Sequence, residues 1–151
     1  MEFILSPNPG EPMKPLSAIA SGGEISRIML AMKAISAENE VVDTMIFDEI
    51  DTGVSGRMAQ TVGEKMCALG RSRQVICVTH LAQIAALGDS QYLVEKTVKD
   101  GHTGSSVRRL DEEGRVGELA RLVGGADDSA SGREHARSML AAAETLKKKR
   151  F

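Results

Sequence analysis

Two short apolar runs in the chain ignore a helical period, Met45-Ile46-Phe47 and Val75-Ile76-Cys77-Val78. Each is too short for a core helix and each stops abruptly on polar residues, so the pattern predicts strands over 44–47 and 74–79. A run without alternation fits a strand buried on both faces, which implies a parallel sheet with helices on either side, an α/β fold. Around these runs the apolar spacing changes to three and four. Ile25, Ile28, Met29, Met32 and Ile35 predict a helix with one buried face, entered through Ser21-Gly22-Gly23. Met58, Val62, Met66 and Leu69 predict a second, entered through a loop at 53–56 and stopped by Gly70 and the basic Arg71-Ser72-Arg73.

The ends are patterned differently. Residues 2–5 predict a short strand, and Pro7, Pro9, Pro12 and Pro15 predict a connection over 6–15 without regular structure. Leu81 to Leu87 has helical spacing. Loose alternation over 91–99 and again over 105–110, with the turn signal Asp100-Gly101 between them, predicts an antiparallel hairpin. Helical patterns follow over 113–123 and 131–146, divided by Gly124-Gly125-Ala126-Asp127-Asp128, with Gly124 as the stop. The whole reads as one partial domain, 1–151, in three stretches: a lead-in at 1–19, a central part at 20–89 and a hairpin with two helices at 90–151. The closing Lys147-Lys148-Lys149-Arg150 is expected to be a solvated end.

Composition narrows the picture modestly. At 151 residues the chain can bury a real core. Its hydrophobic fraction of 42% and charged fraction of 26% are those of a soluble globular domain, and a formal net charge of −2 argues against a generally basic nucleic-acid surface. No apolar run approaches the roughly 20 residues of a membrane span, and no signal-peptide layout opens the chain, so a cytoplasmic location is expected. Cys67 and Cys77 lack metal-ligand or Cys-x-x-Cys spacing and are expected to be two buried thiols. Without Trp, and with one Tyr and three Phe, the core must be aliphatic and rich in Met.

Candidate chemistry clusters where the apolar runs end. The first strand passes straight into Asp48-Glu49-Ile50-Asp51, and carboxylates emerging at the carboxyl edge of an open α/β sheet stand where such sheets bind ligands. The second run ends at Thr79-His80, which the same topology brings to the same edge. Ser21-Gly22-Gly23 opens a helix whose free N–H groups suit a phosphate, with glycines that permit close approach.

In order, these pieces resemble the carboxyl-terminal half of an ABC-type ATPase head. The stretches Asn8-Pro9-Gly10-Glu11-Pro12, Ala20-Ser21-Gly22-Gly23-Glu24-Ile25-Ser26-Arg27, Ile46-Phe47-Asp48-Glu49-Ile50-Asp51-Thr52-Gly53 and Val78-Thr79-His80-Leu81-Ala82-Gln83 are similar to the RecN family of bacterial DNA-repair proteins, within the SMC-like branch. The resemblance implies the fold of one P-loop ATPase lobe, mainly parallel sheet flanked by helices, with a terminal hairpin and two helices. It implies that Ser21, Gly22, Gly23 and Glu24 form the signature that contacts the γ-phosphate of ATP on the opposite protomer. Asp48 would be the Walker B acid holding Mg²⁺ largely through water, Glu49 the residue that polarises the attacking water, Asp51 part of the D-loop joining two protomers, and His80 the switch residue sensing the γ-phosphate. The helix start has Ala20 and Glu24 where many transporters have Leu and Gln, and Glu24 fits the SMC-like branch.

No Gly-x-x-x-x-Gly-Lys-Ser/Thr occurs, and the sequence has no Gly-Lys dipeptide. The resemblance therefore implies one lobe of a split head, needing an amino-terminal lobe with the Walker A loop as partner. Homodimerisation through ATP-engaged heads, DNA contact through the full-length protein and a nucleoid-associated location are further implications. The chain alone is expected to be inactive. Two other readings remain at this point: a self-sufficient Mg²⁺-dependent phosphohydrolase on Asp48, Glu49 and Asp51, and a non-catalytic interaction module.

Overall fold

Parallel pairing of two apolar strands organises the first half of the protein. β3 (Thr44–Phe47) and β4 (Gln74–Cys77) pair in register, Thr44 with Gln74 through Phe47 with Cys77, and the ladder is extended by the Val78 N–H donating to the Phe47 carbonyl at 3.0 Å. The structure, a computed structural model, describes residues 3–6, 10–19, 21–36, 42–99, 102–124 and 129–150. The chain divides into two compact units, Met1–Thr79 and His80–Phe151.

In the first unit, β1 (Ile4–Leu5) pairs antiparallel with β2 (Lys14–Pro15), and α1 (Leu16–Ile19) follows. The prolines were expected to exclude regular structure over 6–15, yet Pro15 takes part in this two-residue pairing. An edge position needs no N–H from it, which is where a strand tolerates proline. Residues 7–9 of that connection lie outside the described residues. Then come α2 (Gly22–Ser36), β3, α3 (Gly56–Gly70) and β4. The loop into α3 uses left-handed glycines at Gly53 (φ 72°) and Gly56 (φ 52°). α3 packs against β4 and α2, burying Ala59, Val62, Gly63, Met66 and Leu69. Met58, expected on that face, is exposed.

Two burial expectations are corrected. Met45 and Phe47 are buried, but Ile46 is 70% exposed, and Ile76 and Val78 are also exposed, so the parallel pair has one covered face instead of two. Along α2, the apolar stripe Ile25, Ile28, Met29, Met32 and Ile35 is not the packed side. Gly23 and Leu30 are buried, while Ile35 is 85% exposed and Ile25, Met29 and Met32 are exposed too. At 100° per residue, Gly23, Ser26, Arg27 and Leu30 share one face and the apolar stripe lies on the opposite one. The helical period was legible, but periodicity does not say which side meets a neighbour. Cys67 and Cys77 are likewise half-buried rather than buried.

The second unit begins with α4 (Ala82–Ala85), shorter than its pattern. β5 (Tyr92–Lys99) and β6 (His102–Arg109) form the expected hairpin, with the second strand starting three residues early. The pairing of Lys99 with His102 leaves two residues for the connection, and Asp100-Gly101 lies outside the described residues. The hairpin base is closed by Leu110 N–H donating to the Gln91 carbonyl at 2.9 Å. α5 (Glu112–Gly124) packs on α6 (Ala130–Arg150), with Val116, Leu119, Ala120, Ala136 and Ala143 buried. The helix stop at Gly124 falls where expected, and 125–128 lie outside the described residues. Glu113 accepts from both Arg133 (2.7 Å) and Arg137 (3.2 Å), and its carboxyl is held below the usual range chiefly by Arg137 and then Arg133. Lys147 is not a free solvated end: it donates to Asp89 at 2.9 Å and Glu144 at 2.8 Å.

Leu119 is fully buried in the α5–α6 seam. Leu119→Ala is expected to destabilise the protein by about 2–5 kcal/mol through lost burial and the cavity left behind. Chemical denaturation checks this, and a shift smaller than the effect of a surface substitution would mean the seam is not a core.

Candidate functional site

The amino end of α2 and the turn after β3 are built against each other. Ser21 caps the helix by accepting the Glu24 N–H on its hydroxyl oxygen at 3.4 Å, and Glu24 completes a reciprocal box: its Oε2 accepts the Ser21 N–H at 2.7 Å and the Ser21 hydroxyl at 2.9 Å. The Ser21 backbone bond, then the Ser21 hydroxyl bond, hold the Glu24 carboxyl below its ordinary value. Sequence Ser-x-x-Glu before an apolar helix carries that signal.

Gly23 is buried where α2 meets the turn. A Cβ there would lie 2.8 Å from the Glu49 carbonyl oxygen, 2.9 Å from Thr52 Cβ and 3.0 Å from the Thr52 carbonyl oxygen. At Gly22 a Cβ would lie 2.8 Å from Glu49 Oε2, so the Glu49 carboxylate rests directly beside Gly22 and a side chain there would displace it. Gly23 is thus required by packing inside the chain, independently of any ligand.

The turn itself is tight. Glu49 has φ 55°, the one non-glycine residue among those described in the left-handed region, and Thr52 N–H closes the turn onto the Glu49 carbonyl at 3.1 Å. That conformation costs a residue with a side chain on the order of 1–2 kcal/mol and persists where surrounding contacts fix it. Asp48 Oδ1 accepts the Glu49 N–H at 2.9 Å. Asp48 and Glu49 are exposed, whereas Ile50 is fully buried and anchors the turn in the core. Asp51 is 3% exposed, and its Oδ2 accepts the Thr79 hydroxyl at 2.6 Å, tying the turn to the chain leaving β4. Burial first, then the Asp51 and Asp48 charges, push the nearby Cys77 thiol up to about 12, so it is a neutral thiol at physiological pH.

The structure therefore brings Ser21, Gly22, Gly23, Glu24, Asp48, Glu49 and Asp51 together in the first unit. His80 is the exposed first residue of the second unit. Among the described residues no group of three or more His, Cys, Asp or Glu could hold a metal ion. A single exposed Asp48 beside Glu49 suits a cation that keeps its waters and takes phosphate oxygens, as Mg²⁺ does, better than one needing a protein cage. Sequence reasoning gave no role to Thr79, which donates to Asp51, or to Ser26 and Arg27, which donate to backbone carbonyls of the turn.

No family model matches the chain. Curated relatives do: DNA repair protein RecN of Halalkalibacterium halodurans is 46% identical over 147 residues, 97% of this chain, and its counterpart in Bacillus subtilis is 43% identical over the same share. The chain belongs to the RecN family. The RecN of Streptomyces coelicolor is 46% identical over 93% of this chain. The chain spans about a quarter of the length of these relatives: 26%, 26% and 24%. A solved structure from work on ATP-driven dimerization and DNA-stimulated activation of SMC ATPases aligns over 69% of this chain and 62% of its own, with a TM-score of 0.47 and 21% identity. The family resemblance carried by the four sequence motifs is borne out by the RecN relatives. No helix among the described residues is long and apolar enough to cross a membrane.

Two outcomes follow from this geometry. Gly23→Ala forces a methyl onto backbone atoms of the turn. It is expected to lower stability by about 1–3 kcal/mol, as overpacking does, read as a lower thermal midpoint, and an unchanged midpoint would contradict the close approach. Because the Glu24 carboxyl is lowered by folding, its cap is fully present above the ordinary carboxylate value and is lost as pH falls through the lowered one. The Ser21 amide resonance is expected to titrate below the ordinary carboxylate range, and to stop doing so in Glu24→Gln. A titration that survives that substitution would assign it to another group.

Proposed function

We propose that this segment supplies the signature, the Walker B acid and the catalytic base of a RecN-type ATPase head, acting in DNA double-strand-break repair as part of a longer protein. The observation that carries the reading is the joint between α2 and the acidic turn, where Gly22 and Gly23 lie against Glu49. Ser21, Gly22 and Gly23, with Glu24 as cap, present a helix amino end to the γ-phosphate bound by a partner protomer. Asp48 would hold Mg²⁺ through water, and Asp51 contributes to the loop that meets the partner. His80 acts as the γ-phosphate sensor. The nucleotide and its cation, when bound, supply the phosphoanhydride and the charge neutralisation. Glu49 orients a water toward the γ-phosphorus and takes its proton as the bond to the β-bridging oxygen breaks.

An amino-terminal lobe with a phosphate-cradling loop is the required partner, and head pairing and DNA contact belong to the complete, cytoplasmic protein. The chain on its own is expected not to hydrolyse ATP. Combined with the amino-terminal remainder of a RecN protein it is expected to turn over, and Glu49→Gln in that assembly to lower hydrolysis by about 10²–10⁴-fold while nucleotide binding persists. Phosphate release measured on the chain, the mixture and the variant checks this. Full-rate hydrolysis by Glu49→Gln, or turnover by the chain alone, would overturn the proposal.

A further inference from the structure

A turn that leaves a strand and holds a left-handed glutamate must satisfy its own backbone. From Asp48 to Thr52 all five carbonyls have partners. The Glu49 carbonyl accepts the Thr52 N–H (3.1 Å) and the Asp51 carbonyl accepts the Val54 N–H (3.2 Å), both within the turn. The other three are taken by α2: the Ser26 hydroxyl donates to the Asp48 carbonyl at 2.9 Å, and one nitrogen of the Arg27 guanidinium donates to the Ile50 carbonyl at 3.2 Å and the Thr52 carbonyl at 2.8 Å. Arg27 is half-buried, on the same side of α2 as Gly23.

We propose that Arg27 is a positioning residue: by holding the Ile50 and Thr52 carbonyls it fixes the left-handed turn that aims Glu49, and it makes the helix bearing Ser21-Gly22-Gly23 and the turn bearing the base move as one piece. This rests on the reading of Glu49 as the base. The two bonds bracket Asp51 and reach past it to the residue that closes the turn, so Arg27 acts on the conformation of Glu49 without touching its carboxylate. Ser26 holds the entry to the turn and Arg27 its exit. Removing the guanidinium leaves two turn carbonyls without their donors and the left-handed residue with fewer contacts to fix it. A base displaced by an ångström loses rate without losing nucleotide.

The test uses the assembled protein and four variants: Arg27→Ala, Arg27→Lys, Glu49→Gln and the double variant Arg27→Ala with Glu49→Gln. Arg27→Ala is expected to lower kcat for ATP about 10–10²-fold with KM within about twofold. Arg27→Lys, which keeps a cation with several donors on a different reach, is expected to recover part of the loss. In the Glu49→Gln background Arg27→Ala is expected to add little, because the group it positions is gone. An unchanged kcat in Arg27→Ala, a loss that appears in KM instead, or a fully multiplicative loss in the double variant would overturn the proposal. If Arg27→Ala does not fold, Arg27→Lys decides: reduced kcat at unchanged KM and thermal midpoint supports it, and unchanged kcat overturns it. Full activity of Glu49→Gln would instead overturn the assignment of the base, an outcome distinct from normal activity in Arg27→Ala beside an inactive Glu49→Gln.

Discussion

Five consecutive backbone carbonyls in a turn that cannot join the sheet ladder need donors, and the first unit is arranged around meeting that demand. The Met45-Ile46-Phe47 run ends where charge begins, so the chain must leave the sheet at Asp48. Once out of the ladder, the turn depends on α2 for three of its acceptors and on its own N–H groups for two. Burial of Ile50 and the bond from Thr79 to Asp51 secure the same turn from the core and from the end of β4. Gly23 then follows: α2 approaches close enough to donate because this residue carries no Cβ.

The same residue types serve two masters at the helix start. Ser21 and Glu24 complete a capping box inside the chain, and the same Ser21 is the residue proposed to meet a phosphate. Any anion arriving at the Ser21 hydroxyl meets a carboxylate already accepting from it. The local fold is therefore complete without ligand.

Much of this was legible in the sequence, for a physical reason. Strands announced themselves because Met45 to Phe47 and Val75 to Val78 break the helical period, and parallel pairing followed from their lack of alternation. The order of motifs gave the family, which the RecN relatives bear out. What stayed hidden were relations between elements. The stripe from Ile25 to Ile35 gave a helix but not its orientation; Gly23, Ser26 and Arg27 face the turn instead, and Leu30 is buried on that same side of the helix. Ile46 and Ile76 looked like doubly buried strand residues because composition does not count neighbouring layers. Arg27 escaped notice because its partners are carbonyls, which every residue has and no sequence pattern marks.

The attachment of α2 to the turn has a thermal consequence. It consists of directed hydrogen bonds and a glycine contact, with the apolar stripe of the helix turned away from it. Such a joint covers little apolar area and so adds little to the heat capacity of unfolding, unlike the aliphatic packing around Val62, Met66 and Leu69. Apolar packing gains strength on warming from low temperature, whereas bonds of favourable enthalpy steadily lose it. On warming from low temperature, the hydrogen-bonded joint that aims the glutamate therefore loses strength relative to the aliphatic layer of α3 against the strands.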